Sequence, residues 1–427
     1  MQRRGLALAA LALIALGVAG CTEDIGGGAA CPSLCPQERV VLSDTTIDAV
    51  SLDTTLAAYP AAATEPYLPI VARGDTIDIR SVIRFDSLPR TWRHSAAPAD
   101  SAITRVDSAR IVARVVFPLR DSTAQFTIEA YDVDTTVAGL ADTTAAAVLP
   151  LFRPGRLIGS TVFRPTALTD SLVRITIDND VVLRHVRDST RLRVGLRVKG
   201  GERGWVSLVS REGGVTPALE FRVSPDTAQG KITRAANTAT PADPAFLTPR
   251  WADYLLIVKG QGTALPAQTV GVGGLPGRRG FLRFTIPSRI LDSATVVRAT
   301  LLLTQRPNRA VPDQRDSVTV YAQAVLTSGV VSSLDRAAEF IAEPGVFGLD
   351  SLRTVPADSG TKALEIAGLL AQWRSAKVAT DDRALVLRSP EEGTRPGGVF
   401  FYSIEAPAGV RPRLRLTYAT RVPFGLP

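Results

Sequence analysis

The chain of 427 residues is poor in the side chains that metal and acid–base chemistry use, with two His, three Cys and one Met. So sparse a set leaves little material for zinc, copper or haem centres, or for the His-based triads of hydrolases. No Gly-x-Ser-x-Gly elbow, His-Glu-x-x-His pair or Ser-x-x-Lys set stands in a context that supports catalysis. Aromatic residues total 6%, which restricts any platform of ring faces to a few positions. Lysine occurs only at 199, 231, 259, 362 and 377, so the 49 basic residues are almost all Arg. Because 41 acidic residues are interleaved with them, the formal charge of +8 does not gather into the basic stripe that nucleic-acid binding needs.

Turn formers and apolar residues, in contrast, are plentiful. The 34 Gly and 29 Pro are spread through the chain and argue against long helices. Hydrophobic residues at 45%, charged residues at 21% and a mean hydropathy of +0.13 argue against disorder. The length suits two domains of about 200 residues, each large enough to bury a core.

The first twenty residues read as an address. Arg3 and Arg4 precede an uncharged apolar run, Leu6 to Val18, that is too short to be a comfortable transmembrane span. The run ends in Val18-Ala19-Gly20-Cys21, which resembles the bacterial lipobox. That resemblance implies cleavage before Cys21 and a diacylglycerol on its thiol, which would hold the mature chain on a membrane. Thr22 stands where enteric lipoproteins kept at the inner membrane carry Asp, so the expected location is the outer membrane or cell surface. Residues 21–44 then form a lipidated tether. Within it Cys31 and Cys35, in Cys-Pro-Ser-Leu-Cys-Pro, are read as a local disulfide formed after export. A metal or redox pair is the other reading, but Pro36 stands where haem attachment needs His, and no second pair completes a zinc site.

The rest of the chain repeats itself once, at a distance of about 190 residues, which is a whole domain and not a solenoid unit. Pro66–Gly74 aligns with Asp253–Gly260, and Ser81-Val82-Ile83-Arg84-Phe85 with Gly280-Phe281-Leu282-Arg283-Phe284. Asp107-Ser108-Ala109 matches Asp292-Ser293-Ala294, and Arg120-Asp121-Ser122 matches Arg315-Asp316-Ser317. The closing segments alternate with period two: Pro217, Leu219, Phe221 and Val223 share one face, as do Pro412, Leu414, Leu416 and Tyr418. One wet and one dry face predict antiparallel sheets stacked as a sandwich. Ile366, Leu369, Leu370 and Trp373 fall at helical spacing and predict a short helix over Glu365–Trp373. Its first-copy counterpart starts at the cap-type residues Asp178-Asn179-Asp180, with Val182, Leu183 and Val186 as its apolar face. The expected fold is therefore all-β: two tandem jelly-roll-like antiparallel sandwiches, each with a short helix, over 45–225 and 232–420.

The order Phe281–Phe284, Ala299–Leu302, Leu369–Trp373, Ala384–Leu387, Phe401–Glu405 and Arg411–Tyr418 resembles the DNRLRE family. The second copy carries this resemblance well, and the first, with Trp205-Val206-Ser207 in place of the Tyr-Ser strand, more faintly. It implies a non-catalytic, carbohydrate-binding-like module of a bacterial extracellular protein, and for some members polysaccharide binding.

A sugar site would need exposed aromatic faces with Asp, Asn or Arg for the hydroxyls. Trp92, with Arg93 and His94 in a polar insertion, is the most suggestive candidate; Trp205, Trp251 and Tyr402 follow, each with core or inter-module packing as the plainer reading. Trp373 lies on the apolar helical face and is expected in the core. Gly271–Gly280 reads as a flexible connector that offers Arg278 and Arg279 to an acidic glycan. Asp132-Val133-Asp134, Asp178-Asn179-Asp180 and Asp381-Asp382 read as turns and caps, with a structural calcium site as the other reading. Two roles follow: recognition of polysaccharide, or a structural and adhesive scaffold that holds protein partners at the surface.

Overall fold

Short alternating segments separated by Gly and Pro fold as strands that each bury one face, and antiparallel pairing lets short turns join them. The computed structural model describes residues 41–59, 66–86, 88–92, 99–116, 125–134, 145–168, 170–224, 232–235, 253–260, 264–309, 317–325, 350–379, 382–393 and 395–420. A two-strand leader comes first, β1 (Leu42–Ile47) and β2 (Val50–Ala58). The first sandwich follows with β3 (Tyr67–Arg73), β4 (Ile77–Phe85), β5 (Thr91–Trp92), β6 (Ser101–Ala102), β7 (Arg105–Arg114) and β8 (Phe126–Asp132). It continues through α1 (Ala145–Val148), β9 (Leu157–Phe163), β10 (Leu172–Ile177), α2 (Asn179–Asp188), β11 (Leu192–Val198), β12 (Gly204–Val209) and β13 (Ala218–Ser224).

A second leader, β14 (Ile232–Ala235) and β15 (Asp253–Gly260), precedes the second sandwich. That sandwich contains β16 (Thr269–Gly273), β17 (Gly277–Phe284), α3 (Ser288–Leu291), β18 (Ala294–Arg306), β19 (Val318–Val325) and β20 (Ser351–Thr354). It closes with β21 (Gly360–Glu365), α4 (Ala367–Ser375), β22 (Ala384–Arg388), β23 (Gly398–Tyr402) and β24 (Arg413–Thr420). The fold is all-β, with two antiparallel sandwiches and few, short helices. None of the helices among the described residues is long and apolar enough to cross a membrane.

Each sandwich has its own core. Ile70, Ile79, Ile83, Phe85, Ile111 and Phe221 fill the first, and Phe284, Leu301, Trp373, Phe401, Leu414 and Leu416 fill the second. The closing strands bury the alternate residues that the period-two pattern selects, Leu219, Phe221 and Val223 in one and Leu414 and Leu416 in the other. The helix expected over Glu365–Trp373 begins two residues later, with Ile366 buried just ahead of it and Leu369, Leu370 and Trp373 facing inward. In the first copy the Asp178 carboxylate caps α2 by accepting from the Asp180 N–H at 2.8 Å, and Val182, Leu183 and Val186 point to the core.

Strand pairing corrects the sequence-based boundaries. One set of paired strands runs β12-β3-β4-β11-β8-β9-β10-β7-β13-β14 with β15 on β4, and the other runs β1-β24-β18-β23-β16-β17-β22-β19-β20 with β2 on β17. β4 and β17 are the same strand of the repeat, flanked by β3 and β11 in one copy and by β16 and β22 in the other. The leader of each sandwich therefore completes its neighbour: β2 adds to the second sandwich and β15 to the first. Residues 42–58 lie outside the sheets of the 45–225 module, and 253–260 outside those of the 232–420 module. An exposed sheet edge needs a partner, and the two repeats present the same edge, so a leader of either repeat suits both. The sequence alignment shifts accordingly. The counterpart of β3 is β16, because each pairs with the matching neighbours, and the counterpart of β15 is β2. Both sandwiches lie within one compact unit that begins at Ser43.

Candidate functional site

Of the aromatic candidates Trp205 is drawn into a core, beside Trp373, which was expected there. Trp205, on β12, is 4% exposed, and Trp373 is fully buried with its indole 5.6 Å from the Phe284 ring. Burial takes both rings out of reach of a ligand. Trp92 pairs with Ser101 across β5 and β6, and its side chain packs, partly buried, on the first core. Tyr402 ends β23 half-buried opposite Thr269. Cys21, Cys31, Cys35, Arg93, His94, Trp251 and Asp381 lie outside the described residues.

The glycine-rich connector is instead a hairpin, β16 turning into β17. Gly273 and Gly274 supply positive φ at the turn, and a Cβ on Gly280 would stand 2.3 Å from Val270 Cγ1, so close packing requires glycine here. Arg278 is buried, its guanidinium over the Phe400 ring at 5.9 Å, and burial lowers its pKa. Arg279 is engaged with Glu392, its Nε donating at 2.7 Å. Neither arginine is presented to a glycan from a flexible loop.

Polar groups converge at one end of the first sandwich. There a cleft of about 480 Å³ opens between the end of β8, the turn into β9 and the polar face of α2. Its size falls in the range of small-molecule sites. At its base lies Asp132, whose Oδ1 accepts from the Asp134 N–H at 3.1 Å and whose Oδ2 accepts from Arg184 Nη2 at 3.0 Å. Arg156 Nη1 donates to the carbonyls of Asp132 and Asp134 at 3.0 and 2.9 Å, fixing the chain as it leaves β8. The Asp134 carboxylate is taken by Arg191 Nε at 2.9 Å, with Arg193 Nε at 3.3 Å. Buried Arg193 also donates to the Val133 carbonyl at 2.9 Å and reaches the hydroxyl of Tyr254, on β15, at 3.5 Å.

His185 completes the corner. α2 presents it one residue after Arg184, and the chain leaving the helix returns Thr190, whose Oγ1 lies 2.8 Å from His185 Nδ1. The other ring nitrogen, Nε2, is buried without a hydrogen-bond partner, 3.6 Å from Asp132 Oδ2. An unpaired buried polar group costs about 1–3 kcal/mol, and this nitrogen shares that condition with Trp205 Nε1, Trp373 Nε1 and Gln372 Oε1 among the described residues.

Burial opposes the charge of Asp132, but His185, the Asp134 N–H and Arg156 outweigh it and hold the carboxyl below the usual carboxylate range. A carboxyl depressed by folding stabilises above its unfolded value of about 3.9 and loses that contribution as pH falls through the folded value. Asp132→Asn is therefore expected to lower stability by about 1–3 kcal/mol at pH 7. The gap from the wild type should shrink as both are titrated below pH ~4, which urea unfolding across pH measures. A gap that stays constant down to pH ~2 would show that the charge contributes nothing.

Sequence reasoning missed this corner. It treated Asp132 and Asp134 as turn residues and did not single out His185, because no local pattern links positions 52 and 53 residues apart. The acidic triplets have assigned tasks in the structure: Asp132 and Asp134 hold arginines, and Asp178 caps α2. Among the described residues no group of three or more His, Cys, Asp or Glu is arranged to hold a metal ion.

No protein-family model matches the chain, and no curated protein matches it. Among solved structures it is similar to a presumed secreted protein from Parabacteroides distasonis ATCC 8503. The two are 7% identical with a TM-score of 0.22, over 86% of this chain and 99% of that one. It is also similar to a structure of the infectious bursal disease virus Gx strain, at 10% identity and a TM-score of 0.13, over 91% of this chain and 79% of that one. Superpositions this loose carry no argument about the chain.

Proposed function

We propose that this is an exported bacterial lipoprotein, anchored through Cys21 at the outer membrane or cell surface, whose DNRLRE-like sandwiches bind polysaccharide without catalysis. The anchor rests on the lipobox-like Val18-Ala19-Gly20-Cys21 after an uncharged run. The binding role rests on one observation: the cleft at the end of the first sandwich, where Arg184 and His185 of α2 lie against the Asp132 carboxylate at the end of β8. Mixed donors and acceptors against an apolar wall suit a hydroxyl-rich ligand.

A second reading, a structural or adhesive scaffold, draws support from the strand exchange. Two sandwiches that each hold a strand of the other suit a stiff spacer between membrane and partner. Pull-down of the full chain on a polysaccharide panel, with and without calcium and at two salt concentrations, separates the two. Specific retention that survives added salt is expected of the binding role. No retention, or retention that salt abolishes, favours the scaffold.

A further inference from the structure

We propose that β2 is a dimerisation edge: two copies of the chain pair β2 to β2, antiparallel, about a two-fold axis through Thr54, so that their second sandwiches share a continuous sheet. This is independent of the polysaccharide-binding reading. The outermost strand of a sheet presents unpaired backbone, which proteins guard by shortness, by charge or by a cover. Among the described residues the outer strands other than β2 are guarded in these ways. β14 and β20 have four residues each, and β20 carries Arg353. β1 carries the exposed Asp44, and β21 carries Lys362. β12 is held by the chain leaving β7, where the Val116 N–H donates to the Ser207 carbonyl at 2.9 Å. β15 carries Lys259, and its Tyr254 and Leu256 lie buried with Val148 and Phe152.

β2 spans nine residues without Lys, Arg or Pro, and among the described residues it pairs on one side only, with β17. Its one charged side chain, Asp53, stands opposite the core residue Leu282 and accepts from the Ile404 N–H at 2.7 Å, so it does not guard the edge. The repeat shows what is missing. Tyr254 stands opposite Val82 as Thr54 stands opposite Phe281, yet Tyr254 is 2% exposed while Thr54 is open to solvent and Leu52 is 49% exposed. The sequence of this edge suits a copy of itself. A bulge at Ser51 leaves Leu52–Ala58 regular, and within it Leu52-Asp53-Thr54-Thr55-Leu56 reads nearly the same in both directions. Antiparallel pairing about Thr54 sets Leu52 against Leu56, which joins apolar side chains, and Thr54 against Thr54, a stabilising cross-strand pair. Asp53 then meets Thr55. A register centred on Asp53 would set two carboxylates opposite each other, and one centred on Thr55 would set each Leu against Ala or Thr.

The test is sedimentation of the full chain in density-matched detergent over roughly 1–100 µM, where a small interface associates. The wild type is expected to dimerise. Thr54→Lys and Thr54→Glu each set like charges opposite on the axis and should raise the dissociation constant about tenfold or more. Their equimolar mixture should regain a dimer, because Lys then meets Glu. Hydrogen-exchange protection of β17 should be the same in all of them. Should a charge at 54 loosen β17, Leu52→Lys takes its place, with the same loss of dimer expected. A monomer at every concentration overturns the proposal and leaves the edge to a different partner. A dimer that neither Thr54→Lys nor Leu52→Lys weakens overturns it as well, since the copies then meet elsewhere. Loss in both charged variants without recovery in the mixture overturns the axis through Thr54.

Discussion

Deleting residues 43–58 should unfold the second sandwich while leaving the first largely protected, although the deleted stretch lies directly before the first in sequence. β2 pairs along the whole of β17, from Ala58 opposite Gly277 to Val50 opposite Phe284. Ala49 and Val50 contribute to the second core, and Leu56 covers Phe281, Val325 and Val386. Side chains and carbonyls of this leader also satisfy backbone groups of the second sandwich. Asp53 Oδ2 accepts from the Ile404 N–H at 2.7 Å, Thr55 Oγ1 from the Gly271 N–H at 3.0 Å, and the Ala49 carbonyl from the Thr285 N–H at 2.8 Å. At a net ~1 kcal/mol for each hydrogen bond lost, plus the apolar surface bared, the deletion removes an amount comparable with a domain's whole stability of about 5–15 kcal/mol. Hydrogen exchange resolved by segment should show β17 and β22 losing protection and β7 and β11 keeping it. A synthetic peptide of residues 42–58 should restore protection in trans. Loss confined to the first sandwich would mean that the leader serves its own repeat.

What was legible in the sequence is what local pattern encodes. Alternation at Leu219-Glu220-Phe221-Arg222-Val223 and at Leu414-Arg415-Leu416 fixes the buried face, because side chains alternate strictly along a strand. Helical spacing found α2 and α4, and the Asp178 cap marked where α2 starts. Pairing is not local, however. Leu68-Pro69-Ile70-Val71 and Leu255-Leu256-Ile257-Val258 look alike as apolar runs, yet the first is an inner strand of its own sandwich and the second caps the other one. Nothing in either run says which edge it joins, since β4 and β17 end in the same Arg-Phe and offer equivalent edges.

The candidate site escaped for the same reason. Asp132 meets Arg184 and His185 only because β8 ends beside the polar face of α2, a juxtaposition set by sheet order. A usable signal lay in the repeat itself: Arg184 and His185 replace Ala371 and Gln372 on otherwise matching helices. Comparing copies for charge where one copy has none would have pointed to the corner. The aromatic residues were read correctly where periodicity was clear: Trp373 fills the second core as its helical spacing indicates, and Trp205 takes the core place that was its plainer reading.

Tyr254→Ala should destabilise the first sandwich by about 3–5 kcal/mol, the usual cost of removing a fully buried aromatic ring. Tyr254 sits in the leader of the second sandwich, but it is 2% exposed among Val82, Tyr131, Val133, Val148 and Phe152 of the first. It stands opposite Val82 on β4, so truncation leaves a cavity against a central strand. Its hydroxyl lies 3.5 Å from Arg193 Nη1, and Arg193 in turn holds the Val133 carbonyl and the Asp134 carboxylate behind the cleft. Loss of the ring should therefore loosen the Asp132 corner as well as the sheet. Segment-resolved hydrogen exchange should place the lost protection in β4, β8 and β11, with β17, β18 and β24 unchanged, and Tyr254→Phe should retain most of the stability. Lost protection centred on the second sandwich instead would refute the exchange of β15, and with it the coupling between the leader strand and the cleft.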